Sequence, residues 1–220
     1  MKTAVVIGAT GLVGNELLRL LLKDSRIEKV IVLTRRVTTL ESDKLEEHIV
    51  DFAKPESWKK LVQGDILFSA LGTTLKAAGS KEAQYQVDYT YQYLAAKAAA
   101  ANGVKKYVLV SAAGSSANSR IFYSRMKGEL ERDIRKLPLE TIHILRPGML
   151  AGHRDKVRTG EIVGGAIMNL LGKVPGLQSL APIKGRQVAQ AMINAAFRHV
   201  VGIHQYGPGE LFRLAGSAAV

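Results

Sequence analysis

The sequence predicts an α/β fold in which helices cover both faces of a doubly wound, parallel β-sheet. Short apolar runs, typical of strands buried on both faces, alternate along the chain with helical patterns. The first run, Lys2–Ile7, breaks directly into a glycine-rich turn, and the leucine-rich helical stretch Leu17–Leu22 follows. The 220 residues suffice for one sizeable α/β domain, and 47% hydrophobic residues is an ordinary content for a globular protein.

The remaining elements follow from the same two patterns, taken in chain order. Apolar runs predict five further strands, at Val30–Leu33, Glu47–Val50, Ile66–Ala70, Tyr107–Val110 and Thr141–Leu145. Helical patterns lie between them, at Trp58–Val62, Lys81–Ala101 and Phe122–Arg135. The stretch Lys81–Ala101 is rich in alanine and has neither glycine nor proline. It therefore predicts one uninterrupted helix, which Gly103 is placed to end.

Three glycines mark the turn after the first strand. They are Gly8, Gly11 and Gly14, separated by Ala9-Thr10 and Leu12-Val13. Glycine allows a tight turn and a close approach of the backbone to a pyrophosphate. The helix that follows presents free N–H groups and a partial positive charge to phosphates. A strand, a glycine turn and a helix in this order form the dinucleotide-binding fingerprint. The competing interpretation is an ordinary strand-to-helix turn that binds nothing.

The end of the second strand favours NADP(H) over NAD(H). An acidic residue about 20 residues beyond the glycines would bind the adenosine ribose of NAD. The chain has Leu33-Thr34-Arg35-Arg36 at this place, with no acid. Because guanidinium groups suit phosphate geometry, Arg35 and Arg36 are predicted to bind a ribose 2′-phosphate. The competing interpretation is two surface arginines at the end of a strand.

Tyr123 and Lys127 lie four residues apart, on one face of the helix predicted at Phe122–Arg135. Ser111 ends the strand before that helix. A free phenol titrates at about pH 10, and a nearby ammonium favours its ionised form, so such a pair can exchange a proton with a carbonyl oxygen. A serine hydroxyl can donate a hydrogen bond to the same oxygen. The three residues are therefore predicted to be catalytic.

Taken together, these motifs resemble the short-chain dehydrogenase/reductase superfamily of the extended or atypical kind, which has a Rossmann-type fold. The resemblance rests on Gly8-x-x-Gly11-x-x-Gly14, Ser111-Ala112-Ala113-Gly114 and Tyr123-x-x-x-Lys127. Further segments are similar to the Tat-interacting oxidoreductase branch, namely Leu33-Thr34-Arg35-Arg36, Val50-Asp51-Phe52, Leu71-Gly72-Thr73-Thr74, Val87-Asp88 and Arg146-Pro147-Gly148. The markers run from about Val5 to Gly148, roughly two thirds of the chain.

The resemblance implies a role for each matching residue. Ser111, Tyr123 and Lys127 would form the catalytic set, and Lys127 would also hold the nicotinamide ribose. The other cofactor-binding residues would be Gly8, Thr10, Gly11, Leu12, Val13 and Gly14 at the pyrophosphate, Asp51 and Phe52 at the adenine, Leu71, Gly72 and Thr73 beside the adenosine ribose, and Pro147, Gly148 and Met149 at the nicotinamide. The chain departs from the family at Asp88, where many members carry an asparagine that helps to relay protons.

The implied function is that of an NADP(H)-dependent oxidoreductase, which transfers a hydride to or from a small-molecule carbonyl or alcohol substrate. Two alternatives stay open: an NADP(H)-binding regulatory or redox-sensing protein, and an NAD(P)-dependent epimerase or dehydratase. We expect residues 1–220 to form a single NAD(P)-binding domain. Residues from about 150 to 220 would be a small C-terminal extension on the substrate side, with helical stretches near Glu161–Leu171 and Arg186–Phe197.

Composition argues against several other classes of protein. Without cysteine, the chain has no disulfide, thiolate metal site or cysteine nucleophile, and its five histidines show no metal-ligand spacing. The net charge of +12 comes from scattered residues rather than a basic block, so nucleic-acid binding is not expected. No stretch approaches the roughly 20 apolar residues that span a bilayer, and the first apolar run is too short for a signal peptide. We therefore expect no metal and a cytoplasmic protein, monomeric or homodimeric.

Overall fold

The computed structural model describes residues 1–151 and 181–216. In this part of the chain, seven strands form one parallel sheet in the order β3-β2-β1-β4-β5-β6-β9, and β7 pairs with β8 separately. The strands are β1 Lys2–Ile7, β2 Ile27–Thr34, β3 Leu45–Ile49, β4 Ile66–Ser69, β5 Lys106–Val110, β6 Thr141–Leu145, β7 Leu150–Ala151, β8 Ile183–Lys184 and β9 Gly202–Tyr206. The predicted fold class, a Rossmann-type doubly wound parallel sheet, is confirmed.

Helices cover both faces of this sheet. They are α1 Leu12–Lys23, α2 Pro55–Trp58, α3 Leu75–Ala78, α4 Lys81–Tyr85, α5 Tyr91–Ala101, α6 Phe122–Ile134, α7 Gly185–Ala196 and α8 Pro208–Gly216. One core cluster joins the sheet to α1, α7 and α8, and the other joins it to α5 and α6. In β1, Ala4 and Val6 belong to the first cluster, whereas Val5 and Ile7 belong to the second. This alternation explains why β1 reads as one continuous apolar run.

The strand order places the glycine turn beside the end of β4. The chain crosses from β3, at one edge of the sheet, to β4 on the other side of β1. In sheets of this kind, ligands bind at the carboxyl ends of the strands where the strand order reverses. The turn after β1 and the residues after β4 meet at that point.

The predicted helix Lys81–Ala101 is not uninterrupted. A π-helical turn, Gln86–Thr90, separates α4 from α5, so that prediction is wrong in this detail. The turn contains Asp88, which is buried and bonded to groups outside its own helix. Helix propensity could not reveal the turn, because it reports on the local backbone and not on tertiary partners. Gly103 follows α5 with a φ of 80°, as expected of a glycine that ends a helix.

Other boundaries also differ from the sequence pattern. The short helix predicted at Trp58–Val62 begins earlier, because Pro55 starts α2, and Lys59–Leu61 form a 3₁₀ turn. The pattern does not predict β9, which lies at the edge of the sheet with mostly accessible residues. The helix predicted at Arg186–Phe197 is observed as α7, whereas Glu161–Leu171 lies outside the described residues. No helix within residues 1–151 and 181–216 is long and apolar enough to cross a membrane.

A buried histidine on β6 makes the fold sensitive to acid. His143 is fully buried, with Nδ1 3.0 Å from the Tyr206 hydroxyl and the ring stacked 5.5 Å from His204. Its Nε2 has no hydrogen-bond partner in the described part of the chain. Burial, followed by the charges of His204 and nearby basic residues, lowers the pKa of His143 from 6.5 to about 3. The imidazole is therefore neutral in the folded protein at neutral pH.

We expect the free energy of unfolding to fall by about 2 kcal/mol between pH 7 and pH 5 through His143 alone. Between the folded pKa and the ordinary one, the unfolded chain binds the extra proton, so stability is full above pH 6.5 and is lost toward pH 3. Urea unfolding at the two pH values should show a smaller loss in His143→Phe. The exposed His199 supplies a control, His199→Gln. An equal loss in wild type and His143→Phe would contradict this assignment.

Candidate functional site

The glycine turn after β1 is closely packed against the end of β4. Gly8 has a φ of 84°, and a Cβ added there would lie 2.4 Å from the Leu71 backbone nitrogen. A Cβ added at Gly14 would lie 2.0 Å from the Gly8 carbonyl oxygen. Side chains at these two positions would therefore collide with backbone atoms. The first and third glycines of the motif are required by the fold of the turn itself.

The N-terminus of α1 is open toward this turn. Gly11 is the N-cap of α1 and supplies no side-chain cap, and the first turn of the helix holds no acidic residue. Its first backbone N–H groups therefore keep their capacity to donate to an anion. Together with the glycine turn, this arrangement fits the pyrophosphate of a dinucleotide.

The residues that line the cleft come from the ends of several neighbouring strands. The lining consists of Gly8, Thr10, Gly11, Leu33, Thr34, Arg35, Arg36, Phe52, Ala70, Leu71 and Gly72. The cleft thus brings together the pyrophosphate, 2′-phosphate, adenine and ribose regions that were predicted separately. The site prediction did not include Leu33, Thr34 and Ala70, although each lies within two positions of a predicted residue.

Arg35 and Arg36 are exposed at the carboxyl end of β2 and line the cleft. The preceding Thr34 fixes the local turn, because its hydroxyl donates a 2.8 Å hydrogen bond to the Arg36 carbonyl oxygen. The structure therefore places two guanidinium side chains where the adenosine ribose of a dinucleotide is expected.

The two residues predicted at the adenine have different environments. Phe52 lines the cleft and is 2% exposed, with its ring centroid 5.6 Å from those of both Trp58 and Tyr91. Asp51 is exposed and does not line the cleft; its Oδ1 accepts a 3.0 Å hydrogen bond from the Ala53 backbone nitrogen. In this structure Asp51 stabilises the turn after β3, as a solvated acid at a strand end would.

Ser111 is buried at the end of β5, where it bonds to an acid on α6. Its hydroxyl donates a short hydrogen bond to Glu131 Oε1. Arg146 Nε and Nη2 donate to the same carboxylate, at 3.0 and 2.5 Å. The carboxylate is thus the acceptor in all three hydrogen bonds, two of them charge-assisted bonds from the arginine. The Ser111 hydroxyl hydrogen is therefore directed to Glu131. Its oxygen lies 3.2 Å from the Ser115 hydroxyl, which donates to the Ala112 oxygen, and keeps acceptor capacity for another group.

Tyr123 and Lys127 lie on α6 in contrasting environments. Tyr123 is 41% exposed, and its hydroxyl has no hydrogen-bond partner within residues 1–151 and 181–216. Lys127 is 3% exposed, with Nζ 3.0 Å from Asp88 Oδ1. The helix packs closely on the loop after Ser111, because a Cβ at Gly128 would lie 2.2 Å from the Ala117 nitrogen. This close packing fixes the helix that carries the candidate tyrosine and lysine.

The buried lysine keeps its charge through its neighbours. Burial acts to lower the pKa of Lys127, but the Asp88 carboxylate acts in the opposite direction. Smaller effects of the same sign come from Tyr123 and Glu131, so that the pKa lies above its ordinary value. Lys127 is therefore an ammonium at neutral pH.

The predicted nicotinamide region follows β6. The Ala113 nitrogen donates to the Pro147 oxygen at 2.8 Å, and the Ile183 nitrogen donates to the Met149 oxygen at 2.9 Å. Pro147 is buried, Gly148 is partly buried and Met149 is 49% exposed. The segment is thus tied to the ends of β5 and β8, but it does not line the cleft described above.

Several other predicted cofactor residues also lie outside the lining of that cleft. Leu12, Val13 and Gly14 belong to the first turn of α1, and the Thr73 nitrogen donates to Asp88.

Sequence reasoning gave no role to Glu131 or Arg146. A signal for Glu131 was present, since it continues the spacing of Tyr123 and Lys127 by four more residues on the same helix face. In the described part of the chain, no group of three or more His, Cys, Asp or Glu residues could hold a metal ion.

Comparison with known proteins gives the family. The profile of a family described as NAD(P)H-binding matches residues 8–198. The chain belongs to this NAD(P)H-binding family. Similar proteins include FMP52-2, mitochondrial, of Scheffersomyces stipitis, 37% identical over 88% of this chain and 86% of that protein. The fmp52, mitochondrial, protein of Aspergillus fumigatus is 34% identical over 99% of this chain and 96% of its own length.

Solved structures of similar fold support the same assignment at the level of architecture. The Bordetella bronchiseptica enzyme WbmH, in complex with NAD⁺, has a TM-score of 0.71 and 16% identity, over 98% of this chain and 79% of that one. The Thermus thermophilus UDP-glucose 4-epimerase, in complex with NAD, has a TM-score of 0.66 and 18% identity, over 98% of this chain and 84% of that one. At such identities the likeness shows the fold alone. The family profile, together with this fold, makes the chain a member of the NAD(P)-binding Rossmann-type superfamily.

The relatives correct one expectation from the sequence. Proteins that are 32–38% identical over most of this NAD(P)H-binding chain are named mitochondrial, so the expected cytoplasmic location is wrong. The expectation relied on the lack of cysteine and on a first apolar run too short for a signal peptide. A lack of cysteine fits any compartment that keeps thiols reduced, and therefore could not distinguish the cytoplasm from the mitochondrion.

Proposed function

We propose that the protein is an NADP(H)-dependent oxidoreductase of the short-chain dehydrogenase/reductase type, close to the Tat-interacting branch, acting on a carbonyl or alcohol substrate. The observation that carries this proposal is the link between the cleft and the Tyr–Lys helix. Gly72 lines the cleft, and the next residue, Thr73, donates to Asp88 Oδ2 at 2.8 Å. The other oxygen of Asp88 pairs with Lys127. Lys127 is therefore attached to the wall of the nucleotide cleft.

The cleft supports NADP(H) through two features. The glycine turn packs closely against backbone atoms at Gly8 and Gly14, and the first N–H groups of α1 beside it are open to a pyrophosphate. Arg35 and Arg36 supply guanidinium groups for a ribose 2′-phosphate, and the described lining of the cleft contains no acid to repel it. When bound, the nicotinamide would supply or accept the hydride.

The chain's own residues would handle the proton. Tyr123 is accessible and would exchange its hydroxyl proton with the substrate oxygen. Lys127 would supply a fixed positive charge one helical turn away on the same face. Ser111 donates its hydrogen to Glu131, so its oxygen would accept a hydrogen bond from a substrate or product hydroxyl.

The cofactor assignment predicts that Arg35→Ala and Arg36→Ala each weaken NADPH binding by about tenfold to a hundredfold and change NADH binding little. Charge-assisted hydrogen bonds contribute about 1.5–3 kcal/mol each, which corresponds to that range. Isothermal titration calorimetry with the two cofactors measures the ratio. The exposed Arg19 on α1 lies outside the cleft and gives the control Arg19→Ala. A wild-type protein that binds NADPH no tighter than NADH would rule out the 2′-phosphate site.

A second candidate is an NAD(P)-dependent epimerase. The fold similarity to UDP-glucose 4-epimerases from Thermotoga maritima and Thermus thermophilus supports it. An epimerase restores its cofactor in every cycle, whereas a reductase consumes NADPH in proportion to product. Following NADPH absorbance with a panel of aldehydes, ketones and quinones therefore separates the two.

The names of the relatives further support a mitochondrial location for this protein.

A further inference from the structure

An ion pair between two buried side chains connects α6 to the nucleotide cleft. Lys127 Nζ lies 3.0 Å from Asp88 Oδ1, and the side chains of the lysine and the aspartate are 3% and 2% exposed. Isolated charges in such an environment are strongly unfavourable, and pairing offsets part of that cost. Each charge therefore depends on the other.

Several contacts fix Asp88 in this position. Its Oδ2 accepts a 2.8 Å hydrogen bond from the Thr73 nitrogen, and its backbone oxygen accepts one of 2.7 Å from Gln92 Nε2. Gln92 in turn accepts a 2.7 Å bond from the Ser69 hydroxyl at the end of β4. A Cβ at Gly72 would lie 3.2 Å from Asp88 Oδ1, so the cleft wall closely approaches the carboxylate. The π-helical turn that carries Asp88 is thus attached to the end of β4 at several points.

The charged and titratable groups around Lys127 come from two elements. Asp88 faces it from the π-helical turn, and Tyr123 and Glu131 face it from its own helix. Glu131 is already paired with Arg146. Asp88 is therefore the acid whose charge balances Lys127. An asparagine at this place, as in many short-chain dehydrogenases, would keep a hydrogen-bond acceptor but not the charge.

We propose that Asp88 is a positioning residue for the reaction, which holds the Lys127 ammonium against the cleft wall and supplies the counter-charge that this buried ammonium requires. The role in the reaction rests on the proposed function, because it acts through Lys127. Asp88 contributes a direct ion pair with Lys127, whereas the asparagine at this place in many short-chain dehydrogenases helps to relay protons.

The decisive variant is Asp88→Asn, which keeps the shape and one acceptor oxygen, removes the charge and replaces the second acceptor oxygen with an NH2 donor. In wild type, NADPH affinity should change little between about pH 7.5 and pH 9, because Lys127 stays charged and phosphate groups, whose second pKa is about 6, are already fully ionised. In Asp88→Asn, burial lowers the pKa of Lys127 without the opposing charge of Asp88, the largest opposing effect. Affinity and any turnover should therefore fall as the pH rises through this range. Asp133→Asn, which removes an acid bonded to Tyr89 elsewhere on α6, should keep the wild-type profile.

A double-mutant cycle supplies a readout that needs no cofactor. Asp88→Asn and Lys127→Met should each lower the urea midpoint strongly, whereas the double variant should lose much less than the two losses together. If Asp88→Asn alone does not fold, a folded double variant still shows that the unpaired ammonium was the cause. A double variant that loses the full sum, or fails to fold, overturns the proposal.

The outcomes distinguish this proposal from the proposed function. If wild type binds NADPH and Asp88→Asn shows an unchanged pH profile, the role of Asp88 is overturned while the proposed function stands. If wild type binds no NADPH, the proposed function fails and the role of Asp88 in the reaction fails with it. Coupling in the cycle would then assign the ion pair to folding alone.

Discussion

Tyr123→Phe is expected to lower kcat/KM for carbonyl reduction by about 10²–10⁴-fold, the range typical of a lost general acid. The substitution removes only the hydroxyl and keeps the ring. Because that hydroxyl has no partner in the described residues and the side chain is 41% exposed, no buried group loses a bond. The free energy of unfolding should therefore stay within about 0.5 kcal/mol of wild type, and NADPH affinity should be unchanged.

The measurement uses NADPH absorbance with a substrate selected from the aldehyde, ketone and quinone panel. A fall in kcat at constant NADPH affinity identifies an interaction made in the transition state. Tyr93→Phe provides the matched control, because it removes a hydroxyl from α5 and keeps the ring, which stacks on that of Tyr89 at 5.9 Å. Full activity in Tyr123→Phe would mean that another group supplies the proton, and the catalytic assignment of Tyr123 would be wrong.

The sheet could be predicted from the sequence because its strands are buried on both faces. Val30–Leu33 and Thr141–Leu145 appear as apolar runs, because successive residues of a strand pack into the two core clusters on opposite faces of the sheet. The glycine turn could also be predicted, because backbone atoms pack so closely there that residues with a Cβ do not fit at its first and third glycines. The edge strand β9 leaves no such run, since most of its residues are accessible.

The polar contacts of the candidate site could not be predicted in the same way. Asp88 and Lys127 are 39 positions apart in the chain, and only the packing of the π-helical turn against α6 brings them to 3.0 Å. Likewise, the hydroxyl of Ser111 is oriented by Glu131, which belongs to a different element. Motif spacing identifies which residues share a helix face, but the direction of a hydrogen bond depends on tertiary partners.

Glu131→Gln is expected to lower the free energy of unfolding by about 3 kcal/mol, the lower end of the range for breaking a buried ion pair. Glu131 is 3% exposed and accepts hydrogen bonds from Ser111 and from two nitrogens of Arg146. A neutral amide offers one oxygen in place of two and leaves the guanidinium without a counter-charge. Urea unfolding of Glu131→Gln, Arg146→Met and the double variant measures the loss and the coupling between the partners.

Glu129→Gln is the matched control on the same helix. Glu129 accepts a 3.0 Å hydrogen bond from the Tyr85 hydroxyl and lies 4.0 Å from Arg125. Because the Arg125 side chain is partly exposed, this ion pair should contribute at most about 1 kcal/mol to the free energy of unfolding. A loss in Glu131→Gln no larger than in Glu129→Gln would show that the Glu131–Arg146 pair does not stabilise the fold. The larger loss is expected because Glu131 joins the carboxyl ends of β5 and β6 to the helix that carries Tyr123 and Lys127. If the proposed function holds, the same variant should reduce turnover more than NADPH affinity, since it loosens the end of the site where the proton would be exchanged.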